Sequence, residues 1–94
     1  MGEKTVRTKP LKVKNKLGIH TRAAAKLVTT ATKFAAKIQL QHNDKIADCK
    51  SIMSVMLLGA AYGASLNLIV DGEDEAAAEN AITALFEDFF GEGE

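Results

Sequence analysis

Apolar and polar residues alternate in four short stretches of this chain, and between those stretches apolar residues recur three and four positions apart. Leu11 and Val13 alternate with Lys12 and Lys14, and Ile38 and Leu40 with Lys37, Gln39 and Gln41. Ile46 to Cys49 is shorter, and Leu66, Leu68 and Val70 alternate with Ser65, Asn67 and Ile69. A period of two buries one face of a strand, whereas spacings of three and four build one face of a helix. Ala24, Leu27, Val28, Ala31 and Ala35 carry the helical spacing over about Thr21 to Lys33. A shorter helix over Ile52 to Leu58 opens on Ser51 as N-cap and stops at Gly59. The last helix shows the stripe Ala78, Ala81, Ile82, Leu85 and Phe89, with acids in its first turn where the dipole favours them. The predicted order is therefore βαββαβα. Strands with one wet face call for an antiparallel sheet covered by helices on one side only, an α+β fold. His42-Asn43-Asp44-Lys45 supplies the turn of a hairpin, and Pro10, lacking an N–H, belongs at the start or edge of the first strand.

Ninety-four residues, 47% of them hydrophobic, suffice for one domain over 1–94 with a single small core. Met1 to Lys9 has little apolar content and reads as a loose segment, and Gly91 onward reads as a frayed tail. No apolar run approaches the roughly 20 residues of a membrane span. The charged first 16 residues lack the apolar core of a signal peptide, so a cytoplasmic monomer without membrane insertion is expected. The single Cys49 admits no internal disulfide and reads as a small core residue.

The net charge of zero conceals an asymmetry. Residues 1–50 hold all 12 Lys and Arg against three acids, a net +9, and residues 51–94 hold nine acids alone, a net −9. The lysines are not interleaved with aromatics, and an acidic half of equal size weakens long-range attraction to a polyanion, which argues against nucleic acid. A basic neighbourhood suits a phosphate or an acidic protein; the plainer alternative is a surface whose two signs pair on folding.

The chemistry concentrates in Leu17-Gly18-Ile19-His20-Thr21-Arg22-Ala23-Ala24-Ala25. A glycine ends the lysine-rich stretch, and His20 stands at or beside the N-cap of the first helix. The backbone N–H groups of Thr21, Arg22 and Ala23 then lack intrahelical acceptors. With the helix dipole and the Arg22 guanidinium they form an anion site. Imidazole, with an unperturbed pKa near ~6.5, is a nucleophile toward phosphorus at neutral pH, so the stretch reads as a phosphohistidine site. No metal-ligand spacing is evident, and Gly59-Ala60-Ala61-Tyr62-Gly63 lacks the ending of a P-loop. With neither metal nor cofactor implied, the phosphate must come from a phosphoprotein rather than from bound ATP. In the short helix, Val55 and Leu58 suit the core, which turns Ile52, Met53 and Met56 outward as a docking patch; the plainer alternative is a helix buried all round.

Three stretches in this order, Gly18-Ile19-His20-Thr21-Arg22, Lys50-Ser51-Ile52-Met53-Ser54-Val55-Met56 and Leu58-Gly59, resemble the HPr family of histidine-containing phosphocarriers of the bacterial phosphotransferase system. The resemblance runs from about Pro10 to Phe90. It implies an open-faced β-sandwich of four antiparallel strands with three helices on one face. By position, His20 matches the histidine that takes a phosphoryl group on Nδ1 from phospho-enzyme I and passes it to enzyme IIA proteins, and Arg22 matches the arginine beside it. The resemblance thus implies a carrier rather than a stand-alone enzyme. Ser51 matches a serine that, in many relatives, an HPr kinase/phosphorylase modifies. Ile52, Met53 and Met56 match the apolar face pressed against partners. Three positions depart from the pattern: Ala23 replaces a proline, Asp44 a turn glycine and Ser54 a glycine. Alanine is a good helix former, so the first turn is expected to survive. A non-covalent regulatory module of the same fold and a small acylphosphatase-like hydrolase are the alternative classes.

Overall fold

The computed structural model describes residues 6–94. The elements follow the predicted order: β1 (Arg7–Lys12), α1 (Thr21–Ala31), β2 (Lys37–His42), β3 (Lys45–Asp48), α2 (Ile52–Leu58), β4 (Ser65–Asp71) and α3 (Glu75–Glu87). A 3-10 turn over Phe89–Gly91 follows. The strands form one antiparallel sheet in the order β1-β4-β2-β3. Leu11, Ile38, Leu40, Leu66, Leu68 and Val70 point inward to Leu27 of α1, Val55 and Leu58 of α2, and Ile82 and Phe86 of α3. Each such side chain contributes roughly 1.5–3 kcal/mol on leaving water. A one-residue slip would move a strand's whole set to the wet face, so this burial also fixes the register. The three helices cover one face of the sheet.

Local chemistry sets the helix ends. Ser51 Oγ accepts the Ser54 N–H at 3.2 Å, and Gly59 closes α2 in the left-handed conformation at φ 66°. Ser54 in turn uses its hydroxyl to accept the Asp48 N–H at 2.9 Å, which ties the end of β3 to α2. In the hairpin turn, Asn43 carries the positive φ of 58°, so the left-handed conformation falls on Asn43 and not on Asp44. The Asp74 carboxylate reaches across to the N–H groups of Ala35 and Ala36, both at 2.8 Å. The Ala35 hydrogen bond, supported by that from Ala36 and by nearby Lys50, outweighs desolvation and holds this carboxyl below the usual carboxylate range.

Four expectations need correction. Arg7, Thr8 and Lys9, read as loose, lie in β1: the strand pairs from Arg7↔Val70 to Lys12↔Ser65, and Arg7 meets Glu79 of α3 at 3.4 Å. Main-chain pairing on an edge strand needs no apolar side chains, which is why composition missed it. The rest of that segment, residues 1–5, lies outside the described residues. Pro10 stands opposite Asn67 within this edge strand. The tail from Gly91 does not fray but folds back, and the Lys16 N–H donates to the Glu94 backbone oxygen at 3.0 Å. The α3 stripe is also displaced: Phe86 and Phe90 are buried, whereas Phe89 lies beyond the helix and is half-buried. The cause is that α3 ends at Glu87 and the chain then turns through positive φ at Phe89 and Phe90. Ala35 is exposed for a similar reason, since α1 stops at Ala31.

The opposed charges of the two halves meet in the fold. Arg7 pairs with Glu79, Lys14 with Glu87 and Lys16 with Glu94. Exposed pairs of this kind contribute about 0–1 kcal/mol each. Among the described residues, no helix is long and apolar enough to cross a membrane.

Candidate functional site

The site begins with a close approach of two backbones. Gly18 has φ 71°, and a Cβ there would lie 2.8 Å from the Ala60 carbonyl oxygen. The contact lets the Ile19 N–H donate to that carbonyl at 2.9 Å, with the Ile19 side chain buried beneath. His20 follows in extended conformation as the N-cap of α1, and its carbonyl accepts the Ala24 N–H at 2.8 Å. Its ring makes no capping bond. Instead it lines an open depression with Lys16, Leu17, Thr21 and Arg22 on one side and Gly91, Glu92 and Glu94 of the tail on the other. The side chain is 29% exposed, so the ring is open to a partner yet held by the protein.

The structure gathers most of the predicted site. Thr21 and Arg22 are exposed at the start of α1, with the Arg22 guanidinium close enough to act on Glu92. Ala23 is wholly buried, because the inner side of the first turn packs into the core with Ala24 and Leu27. With alanine at position 23 the first turn of α1 is formed.

Two residues of the site escaped the sequence reading. Glu92 Oε2 is hydrogen-bonded to His20 Nε2, and its Oε1 accepts from Asn15 Nδ2 at 3.0 Å. Partial burial of the Glu92 carboxyl opposes its ionisation. The hydrogen bonds from Asn15 and His20, with the Arg22 guanidinium nearby, prevail and hold it below the usual carboxylate range. Asn15 gave no signal within Lys14-Asn15-Lys16, and Glu92 between two glycines reads as tail.

Beside the depression, α2 shows the predicted division of faces. Val55 and Leu58 are buried, while Ile52, Met53 and Met56 are exposed together with Leu57 and, from the loop before α1, Leu17. Ser51 stands half-exposed at the edge of this patch. Burial, with Asp48 beside it, pushes the Cys49 thiol up to about 12, which makes it an unreactive core residue. His42 turns its Nδ1 toward the Leu58 carbonyl at 3.4 Å. Among the described residues there is no cluster of three or more His, Cys, Asp or Glu suited to a metal ion.

A family profile described as "PTS HPr component phosphorylation site" matches residues 7–88. The phosphocarrier protein HPr of Cupriavidus necator is 46% identical over 80 residues, 85% of this chain and 90% of the relative. That of Neisseria meningitidis serogroup A is 44% identical over 84 residues, 89% of this chain and 94% of the relative. Among solved structures, HPr-C-His from Thermoanaerobacter tengcongensis superimposes with a TM-score of 0.88 at 40% identity, over 92% of this chain and 97% of the other.

Proposed function

Because the chain belongs to the HPr family of phosphotransferase-system phosphocarriers, we propose that His20 accepts a phosphoryl group from phospho-enzyme I and passes it to enzyme IIA proteins. The observation that carries this reading is the His20 ring, part-exposed at the N-terminus of α1 beside Arg22, with one ring nitrogen held by Glu92. The Thr21 and Arg22 amides, the helix dipole and the Arg22 guanidinium receive the phosphoryl oxygens. Each exposed helix-end contact is worth on the order of 0.3–1 kcal/mol, weak enough for a group that must be handed on. Ile52, Met53 and Met56 form the apolar part of the surface that docks to both partners. Incubation with phosphoenolpyruvate and enzyme I is expected to add one acid-labile phosphate that maps to His20 by mass spectrometry. Absence of that gain would remove the carrier reading.

Ser51 is the proposed regulatory position, modified by an HPr kinase/phosphorylase where one is present. Its hydroxyl is an acceptor in the α2 cap, and a phosphate at a helix N-terminus leaves the fold intact. The phosphate adds roughly −1.5 to −2 charges beside Met53 and Met56. Since like-charge juxtaposition costs several kcal/mol, the Kd for an acidic enzyme I surface is expected to rise at least about tenfold. Calorimetric titration of the Ser51-phosphorylated and unmodified forms checks this. Equal affinities would show that the serine is simply a cap.

A further inference from the structure

The geometry points to Glu92 as a positioning residue for phosphoryl transfer: fixed by Asn15, it holds the Nε2 side of the His20 ring and leaves Nδ1 as the nucleophile. This rests on the reading of His20 as phosphoacceptor. Glu92 Oε2 is hydrogen-bonded to His20 Nε2, while its Oε1 accepts from Asn15 Nδ2 at 3.0 Å. The same Asn15 nitrogen donates to the Gly18 carbonyl at 2.6 Å. Asn15 is wholly buried, so its amide is tied between two acceptors and cannot turn to solvent. An ionised carboxylate has no proton to give. Nε2 must carry the hydrogen of that bond, and in the neutral ring the lone pair lies on Nδ1. A nucleophile oriented by a neighbour that is itself held by another group is a recurring arrangement in group transfer.

The tail is built to deliver this carboxylate. Phe89, Phe90 and Gly91 pass through φ 55°, 53° and 76°, a region that bulky residues rarely adopt and that persists only where the surroundings over-determine it. Phe90 is buried against Phe86, with ring centroids 4.9 Å apart, and its carbonyl accepts from Lys26 Nζ at 2.7 Å. Together these turn the chain so that the second residue after Phe90 reaches His20.

In the transfer step the Nδ1 lone pair forms the N–P bond. The bond from phosphorus to the leaving atom of the donor phosphoprotein breaks, and that atom departs with the electron pair. Nε2 keeps its proton throughout, so the ring gains positive charge, and Glu92 faces that charge from the side opposite the phosphoryl group. Handing the phosphate on returns the electron pair to Nδ1. No proton has to move in either direction.

The test compares the unaltered chain with Glu92→Gln and Asn15→Ala by two readouts. These are the tautomer of His20 from ring-nitrogen NMR of the unphosphorylated protein, and the rate of phosphate uptake from phospho-enzyme I. The unaltered chain is expected to show the Nε2–H tautomer. A glutamine amide can donate or accept, so Glu92→Gln is expected to give a tautomer mixture and uptake roughly tenfold slower. Asn15→Ala is expected to move both readouts the same way. An unchanged tautomer and rate in Glu92→Gln overturns the proposal, as does faster uptake, the mark of a competing anion. If the unaltered chain takes no phosphate on His20, the phosphoacceptor reading falls instead, and the tautomer measurement still decides whether Glu92 sets the ring.

Discussion

Phe90→Ala is expected to lower stability by about 3–5 kcal/mol and to free the tail from His20. Phe90 is 1% exposed, and it packs its ring on Phe86 with the planes inclined at 60°. Truncation removes the transfer energy of the ring and leaves a cavity that the surroundings only partly fill. The backbone adds a second term. Phe90 holds φ 53°, and an L-residue in this region costs roughly 1–2 kcal/mol. Alanine keeps that cost and loses the burial that offsets it. Glycine loses the same burial but relieves the backbone, so Phe90→Gly is expected to be no less stable than Phe90→Ala, the reverse of their order in a helix interior. Denaturant midpoints at constant m-value measure both. A loss below about 1 kcal/mol for Phe90→Ala would mean that the tail is not anchored through this ring.

The second large effect belongs to Gly18→Ala. Two costs act together there: the positive φ of 71°, and a Cβ placed 2.8 Å from the Ala60 carbonyl oxygen and 2.9 Å from Ala61 Cα. Both neighbours are main chain, so no side chain can swing aside. Strain of roughly 1–2 kcal/mol and overpacking of 1–3 kcal/mol give an expected loss of about 2–5 kcal/mol. The backbones must separate, which stretches the Ile19 N–H to Ala60 bond and moves the Gly18 carbonyl that Asn15 holds. His20 moves with them. A shift near 1 Å costs on the order of 100-fold in a positioned reaction, so phosphate uptake is expected to fall by about that factor. Gly59→Ala is the control, with a similar φ of 66° but nothing within 4 Å of the added Cβ. It is expected to cost only the backbone strain and to leave uptake unchanged. Equal losses in the two variants would show that the close approach of Gly18 to Ala60 and Ala61 does not matter.

Much of the fold was legible from period alone. Leu11, Ile38, Leu40, Leu66, Leu68 and Val70 all lie inward, because a strand with one wet face admits one assignment of its alternating residues. The second helix was equally clear: Val55 and Leu58, three apart, went into the core, and Ile52, Met53 and Met56 were left outside. Arg7 to Lys9 were misread because an edge strand forms through its main chain, and polar side chains neither favour nor forbid that. The tail was misread because Phe86 and Phe90 keep helical spacing across a point where the helix has ended. Nothing in spacing reveals that the chain turns left-handed there.

By itself the sequence determined the order of the elements, the inward faces of the strands and the start of α1 at His20. These depend on interactions within a few residues: alternation, capping, and a glycine before a helix. Only the tertiary structure decided what surrounds the histidine. Glu92 lies 72 positions from His20 and 77 from Asn15, and their meeting depends on how a buried phenylalanine packs rather than on any local preference. It also decided that Ala23 is buried while Thr21 and Arg22 stay exposed. That division follows from which side of the first turn packs against the core.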